Sequence, residues 1–259
     1  MTQEERRKFL IEELLRERPS WRWQEIPADA DSQKVLLRSL MNVRHPGVVS
    51  QRFLEVQDAY LQEELTEKTI TRISELSPVR DGIYLWRGDI TTLECGAIVN
   101  AANSGMTGCY QPCHNCIDNC IHTYAGVQLR LKCAEIMERQ GFEEPTGQAK
   151  ITPAYNLPCY YVIHTVGPIV QGKLTRQHCK LLESCYRSCL NLADENQVPS
   201  IAFCCISTGV FMFPNDKAAE IALRTVQEYK AETGSKIEVI FNVFKEQDER
   251  IYSRLLRAD

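Results

Sequence analysis

Ile98-Val-Asn-Ala-Ala-Asn-Ser-Gly105 is a short apolar run that stops abruptly on small and polar residues, as a buried strand does when it opens into a loop. The same texture recurs on both sides of it. Strands are predicted at 83–86, 97–100, 151–155, 160–164, 201–205 and 237–241, and amphipathic helical patterns fill most gaps, at 117–139, 177–195, 217–230 and 246–256. Strands alternating with helices predict an α/β fold: three α/β/α layers around a mixed, mostly parallel sheet. In such folds ligands bind beyond the carboxyl ends of the strands, where loops meet helix N-termini. The residues that follow each strand are therefore the candidates for function.

Upstream the texture is different. Phe9, Leu10, Leu14 and Leu15 form one helical stripe, and Val35, Leu36, Leu40 and Met41 form a second, with Asp31 or Ser32 as its expected N-cap. Pro46-Gly47 interrupts the chain, and Val49, Phe53, Leu54, Val56, Tyr60 and Leu61 begin a third stripe. No strand and no reactive constellation is visible there. Residues 1–75 are read as a helical extension and 76–259 as the α/β domain, with the junction near Glu75-Leu-Ser-Pro78.

Composition excludes several classes. Of 259 residues 44% are apolar and 25% charged, with a net charge of -4, so no basic nucleic-acid surface is expected. No apolar run reaches the roughly 18 residues of a membrane helix, and the charged start Met1-Thr-Gln-Glu-Glu-Arg-Arg-Lys has no apolar region behind it. A cytoplasmic protein is the expectation. Nothing in the sequence signals an oligomeric state.

Three loops after strands carry chemistry: Arg87-Gly-Asp-Ile-Thr91, Asn100-Ala-Ala-Asn-Ser-Gly105, and Ser207-Thr-Gly-Val-Phe-Met-Phe-Pro214 leading into a helix. Small residues before a helix let backbone N–H groups face an anion, and the helix dipole favours it there. Asp89, an acceptor-only carboxylate, can receive an exocyclic amine or cap its own turn.

These loops occur in order with Ile121-His-Thr-Tyr-Ala-Gly126, Thr146-Gly-Gln-Ala and Val162-Ile-His-Thr-Val-Gly-Pro168, and together they resemble the macrodomain family in its MacroD-type branch over about residues 80–257. The resemblance implies an ADP-ribose cleft. By it, Asp89 would take the adenine amine with Ile90 beside it, and Asn103 would lie near the distal ribose. Ser207, Thr208, Gly209 and Val210 would wrap the diphosphate, Met212 or Phe213 would pack against the sugar, and Asn242 or Phe244 would flank the adenine. Cys116, Ile117 and Asp118 would border the ribose from the start of the next helix.

One segment departs from the common family pattern, which has a glycine run here. Gly108-Cys-Tyr-Gln-Pro-Cys-His-Asn-Cys-Ile-Asp-Asn-Cys-Ile-His122 holds four of the chain's twelve cysteines. The other cysteines sit mostly in apolar stretches and read as buried hydrophobes. Redox-active thiols, buried filler and a metal site compete for the cluster; thiolate with imidazole selects zinc. Spacing alone leaves the ligand set open: four protein ligands would close the site, three would leave a position for water or substrate. The segment is similar to that of zinc-containing macrodomains of bacteria and fungi, which implies one Zn²⁺ per chain on Cys109, His114 and Cys116. Cys113, Cys120 and His122 then fall outside the set.

The resemblance implies a zinc-dependent hydrolase that removes mono-ADP-ribose from modified proteins, from acidic side chains, with Asp118 and Asn103 as catalytic residues. Asp118 at a helix start also suits simple dipole compensation. An O-acetyl-ADP-ribose deacetylase and a non-catalytic ADP-ribose reader with structural zinc are the competing readings. The expected partners are ADP-ribose and an ADP-ribosylated protein, with no nucleic acid and no membrane.

Overall fold

The computed structural model describes residues 1–21 and 24–257. It opens with three helices, α1 (Gln3–Arg16), α2 (Ala30–Val43) and α3 (Gln51–Thr66). Side-chain oxygens fix each start by accepting otherwise unpaired N–H groups. Thr2 and Glu5 form a reciprocal capping box on α1, Ser50 accepts from Phe53 N on α3, and Asp29 accepts from Ser32 N on α2. The cap of α2 is thus Asp29, not Asp31 or Ser32: Ser32 supplies the N–H that is capped. Leu10, Ile11, Leu14, Leu37, Leu40, Phe53, Val56 and Tyr60 bury one another in a core of their own, which also takes in Val127 from beyond the extension.

The strands that follow are β1 (Thr71–Arg72), β2 (Ile83–Arg87), β3 (Leu93–Glu94), β4 (Ala97–Ala102), β5 (Ala149–Pro153), β6 (Tyr161–Val166), β7 (Ser200–Phe203) and β8 (Glu238–Val243). β1 lies in the stretch expected to hold no strand; it is only two residues long, too short to show a period, and pairs in parallel with β3. The main sheet has the order β2-β8-β7-β4-β6-β5 and is parallel except for the edge strand β5, which runs antiparallel to β6. The expectation of a mixed, mostly parallel sheet agrees with this. Four strands shift by a residue or two: the one expected at 151–155 is Ala149–Pro153, where an edge position tolerates its proline, the one expected at 201–205 is Ser200–Phe203, so Cys204 and Cys205 already belong to the loop, and those expected at 160–164 and 237–241 are Tyr161–Val166 and Glu238–Val243.

The domain's helices are α4 (Ile117–Ala125), α5 (Val127–Gln140), α6 (Arg176–Glu195), α7 (Asn215–Thr233) and α8 (Glu246–Arg257). The helix expected at 117–139 is two helices, because Gly126 has φ 96° and breaks the run. That backbone region favours glycine, and a Cβ there would come within 2.5 Å of Gln57 Nε2 on α3. The main core combines Ile98, Val99, Val162, Ile163, Ile201, Val239 and Ile240 of the sheet with Leu129, Leu182, Cys185, Ile221 and Val226 of the helices. Among the described residues no helix is long and apolar enough to cross a membrane.

Candidate active site

The carboxyl end of β4 delivers the central feature. Asn100 and His164 are paired neighbours in the parallel β4–β6 ladder, so their side chains project on the same face of the sheet. That face meets α4 and α5. Asn100 Nδ2 donates to Asp118 Oδ1 at 2.8 Å and lies 3.1 Å from His164 Nδ1. Beyond the strand, Asn103 Nδ2 donates to Gly108 O at 3.1 Å and to Asp118 Oδ2 at 3.4 Å, while its Oδ1 accepts from Gly105 N. Asn103 is exposed and Asp118 buried, so the pair runs from solvent to interior. Burial pushes the Asp118 carboxyl up to about 6, against the pull of the Asn100 hydrogen bond and the nearby Arg130 charge. Ile117, beside it, is half-buried against the core.

One residue before α4, Cys116 caps the helix: its Sγ accepts from Asn119 N at 3.4 Å. Cys109, His114 and Cys116 bring their donor atoms within 4.8 Å of one another, and Cys109 Sγ lies 3.7 Å from His114 Nδ1. Tetrahedral zinc with Zn–S near 2.3 Å and Zn–N near 2.0 Å separates such donors by roughly 3.5–3.8 Å. The group fits that ion in donor type and in the Cys109–His114 separation. Two thiolates and a neutral imidazole also balance its charge. Burial pushes the Cys116 thiol up to about 12, so binding a metal here displaces a proton. The other loop thiols turn elsewhere: Cys113 Sγ points at Val35 O, 3.5 Å away on α2, and Cys120 Sγ lies 3.7 Å from Arg38 Nη2. All twelve cysteines are free.

His122, Cys133 and His164 form a second gathering of donor atoms, fully buried under β4 and β6. Both His164 nitrogens already face polar partners, Asn100 Nδ2 and Thr152 Oγ1 at 3.0 Å. Burial drives both imidazoles toward the neutral form, holding His164 down to about 3 and His122 well below its ordinary value, where His164 and Arg130 add to the effect. A cation would share this interior with the Arg130 guanidinium, so the group reads as polar core.

At the other end of the cleft, Asp89 Oδ1 accepts from Thr91 N at 2.9 Å and Thr91 Oγ1 at 2.7 Å. It caps the turn Ile90–Thr92, and among the described residues Oδ2 accepts no hydrogen bond. The Ile90 side chain is buried, leaving only its backbone to meet a ligand. Asn242 is buried too and donates to Gly88 O at 3.0 Å, which holds the Asp89 turn in place; Phe244 is exposed and is the member of that pair free to stack on a base.

The loop after β7 is closed by Phe213 N donating to Ser207 O and Met212 N to Gly209 O, both at 3.0 Å. Ser207 (φ 65°) and Met212 (φ 54°) take the left-handed backbone that non-glycine residues seldom adopt, and such conformations concentrate at ligand sites. Ser207 Oγ is buried without a partner, and a Cβ on Gly167 would come within 2.1 Å of it. Thr208 Oγ1 bonds Cys205 O at 2.9 Å. Val210 and Met212 are exposed, whereas Phe213 is buried in the core, so of the two residues expected at the sugar Met212 is the one on the surface.

Several polar contacts escape a reading of the sequence. Asn100 and His164 stand in the quoted motifs, but nothing in the sequence shows that they meet each other and Asp118 across the sheet. Arg130, between Leu129 and Leu131, is a charge on a buried helix face.

The Macro domain family pattern matches residues 99–222. A Treponema medium protein named protein-ADP-ribose hydrolase is 63% identical over 260 residues, 99% of this chain and 100% of that protein. A Staphylococcus aureus (strain MSSA476) protein of the same name is 49% identical, covering 98% of this chain and 96% of its own length. A Trypanosoma brucei macrodomain solved in complex with ADP-ribose is 30% identical with a TM-score of 0.66, covering 85% of this chain and 94% of that one.

Proposed function

The chain belongs to the Macro domain family, and we propose that it is a zinc-dependent hydrolase that removes mono-ADP-ribose from acidic side chains of modified proteins. The observation that carries this reading is the adjacency of a three-donor Cys–His–Cys group and a buried carboxylate. Cys116 and Asp118 lie two positions apart at one helix start, and Asn103 bonds Asp118 from the loop above. The names of the two relatives support hydrolysis, and the ADP-ribose complex supports the ligand.

In this reading Asp89 Oδ2 receives the adenine amine, and the exposed Phe244 flanks the base. The 207–213 loop presents backbone N–H groups to the diphosphate, with the N-terminus of α7 behind it and the Ser207 hydroxyl buried beneath. Met212 covers the proximal sugar. Asn103 fixes the distal ribose against Asp118, and Asp118 orients the nucleophile and accepts its proton. The net reaction adds water across the ester: ADP-ribose leaves with a free hydroxyl and the protein side chain is restored as a carboxylate and a proton. Zinc held by Cys109, His114 and Cys116 would supply Lewis-acid polarisation beside that bond.

Incubation with a protein ADP-ribosylated on Asp or Glu, followed by assay for released ADP-ribose, tests the proposal. Release is expected, lost with a chelator and restored by zinc. Binding of ADP-ribose without any release would make the protein a reader. Undiminished release by folded, zinc-free protein would remove the metal from the reaction.

A further inference from the structure

The segment 109–120 must gather three ligands with little regular structure of its own, and helix α2 of the N-terminal extension lies against it. We propose that α2 is a positioning element of this loop, with Arg38 and Asn42 holding it in the shape that brings Cys109, His114 and Cys116 together. The proposal rests on reading these three residues as a metal site.

Arg38 Nη2 donates to the backbone oxygen of the ligand residue His114 at 2.8 Å and to Asn119 Oδ1 at 3.1 Å. The second contact orients an amide that serves the whole loop. With Oδ1 turned to Arg38, Asn119 Nδ2 faces inward and donates to Gln111 O at 2.9 Å and Cys109 O at 3.4 Å, while Asn119 N bonds Cys116 Sγ. One arginine therefore reaches two of the three ligand residues, His114 directly and Cys109 through the Asn119 amide, beside the helix start that Cys116 caps. Four positions along α2, Asn42 Oδ1 accepts from Cys113 N at 2.9 Å, and its Nδ2 donates to Thr123 Oγ1 at 2.9 Å. Cys113 sits at φ 51°, so a bond at this residue holds the tightest bend of the loop.

Arg130 on α5 ties the same parts from behind. Its Nη1 reaches Met41 O, Asn42 O and Arg44 O at 3.1, 2.7 and 2.6 Å, carbonyls at the end of α2 that lack helical partners. Its Nε donates to Thr107 O at 2.7 Å and its Nη2 to Cys109 O at 3.4 Å, where the loop begins. Docking of the extension is served elsewhere, by Val127 in its core and by polar bonds of α3, where Gln57 and Asp58 meet Gln128 while Asp58 and Gln62 meet Asn156. The polar bonds that Arg38 and Asn42 of α2 make converge instead on the loop and the start of α4. A loop ordered before the metal arrives loses less conformational entropy on binding, and so holds the ion more tightly.

The test uses the full chain carrying Arg38→Met or Asn42→Ala, with Arg6→Ala as control, since Arg6 pairs with Glu63 inside the extension. Amide hydrogen exchange over residues 109–120 is read first, in metal-stripped protein. Arg38→Met should speed it by about tenfold or more, the loss expected for a hydrogen bond from a charged donor, with exchange in the sheet and in Arg6→Ala unchanged. Zinc loss to a chelator should accelerate by a similar factor. Wild-type exchange in the loop of folded Arg38→Met, or a uniform rise throughout the chain, would overturn the proposal. If Arg38→Met does not fold, the same readings on Asn42→Ala decide. Wild-type protein that takes up no zinc would sink the metal reading, while the exchange comparison would still decide whether α2 holds the loop.

Discussion

Asn100 donates a 2.8 Å hydrogen bond to Asp118 across the junction of β4 and α4, and both residues are buried. Asp118 Oδ1 faces the interior through Asn100, while Oδ2 faces the cleft through Asn103. One oxygen thus holds the carboxylate in place, and the other is the one that the proposed reaction would use. A donor that fixes a buried carboxylate this way contributes roughly 1.5–3 kcal/mol.

Asn100→Ala should therefore lower kcat for ADP-ribose release by about ten- to hundredfold. KM should stay within about twofold, because in the proposed site Asp89 and the 207–213 loop, which lie elsewhere, would bind most of the ligand. Steady-state kinetics on the folded variant checks this. An unchanged kcat would mean that Asn100 does not hold the reacting carboxylate; a raised KM at constant kcat would assign it to binding instead.

The alternation of strands and helices was legible because buried strands and amphipathic helices have different periods, and the sheet depends on little else. What escaped was set by contacts distant in sequence. The stop at Gly126 lies in its φ of 96°, in a place where a side chain would meet Gln57 of another helix, and the apolar period of 117–139 runs through it unbroken. The loop residues 109, 114 and 116 stand out by residue type, since thiols and imidazole in a polar loop demand an account. The residues that hold them do not stand out. Arg38 reads in the sequence as one more surface charge beside Asp31 and Lys34 on its helix, and only folding brings it to His114 O, 76 positions away. Phe213 could not be told from Met212, because which of two neighbouring apolar residues turns inward depends on the positive φ at Met212.

Acid should destabilise the metal-stripped protein, and the sign follows from the buried histidines. His164 is held down to about 3 and His122 is lowered well below 6.5. Groups depressed in the folded state are stabilising above their unfolded pKa, and that contribution is lost as pH falls from 6.5 toward the folded values. Asp118, raised to about 6, works the other way between there and its ordinary 3.8. Two histidine protons against one carboxylate proton leave a net uptake of one on unfolding. Stability to urea should then fall as pH drops below 6.5, by on the order of 1 kcal/mol per pH unit near pH 5. His164→Gln removes one of the two protons and should flatten that slope. A slope unchanged in the variant would show that His164 is protonated in the fold.

The ligand set itself is open to a direct contrast between two cysteines four positions apart. Cys109 Sγ is 3.7 Å from His114 Nδ1 and within the Cys–His–Cys group, whereas Cys113 Sγ points at Val35 O. Removing a thiolate from the group leaves two protein donors, too few to hold a zinc ion at micromolar concentration through purification, and leaves the ion's charge half balanced. Removing Cys113 Sγ costs only a weak thiol hydrogen bond to a carbonyl, and serine can form the same bond. Elemental analysis should therefore find about one zinc per chain in wild type and in Cys113→Ser, and far less in Cys109→Ser. Circular dichroism should match wild type in both variants, because neither side chain belongs to the buried core of the sheet. Equal zinc loss in the two would mean that Cys113 turns inward and takes a place in the coordination sphere. In that case four protein ligands would close the ion off, no position would remain for water or ribose, and the metal would hold the loop without taking part in the reaction.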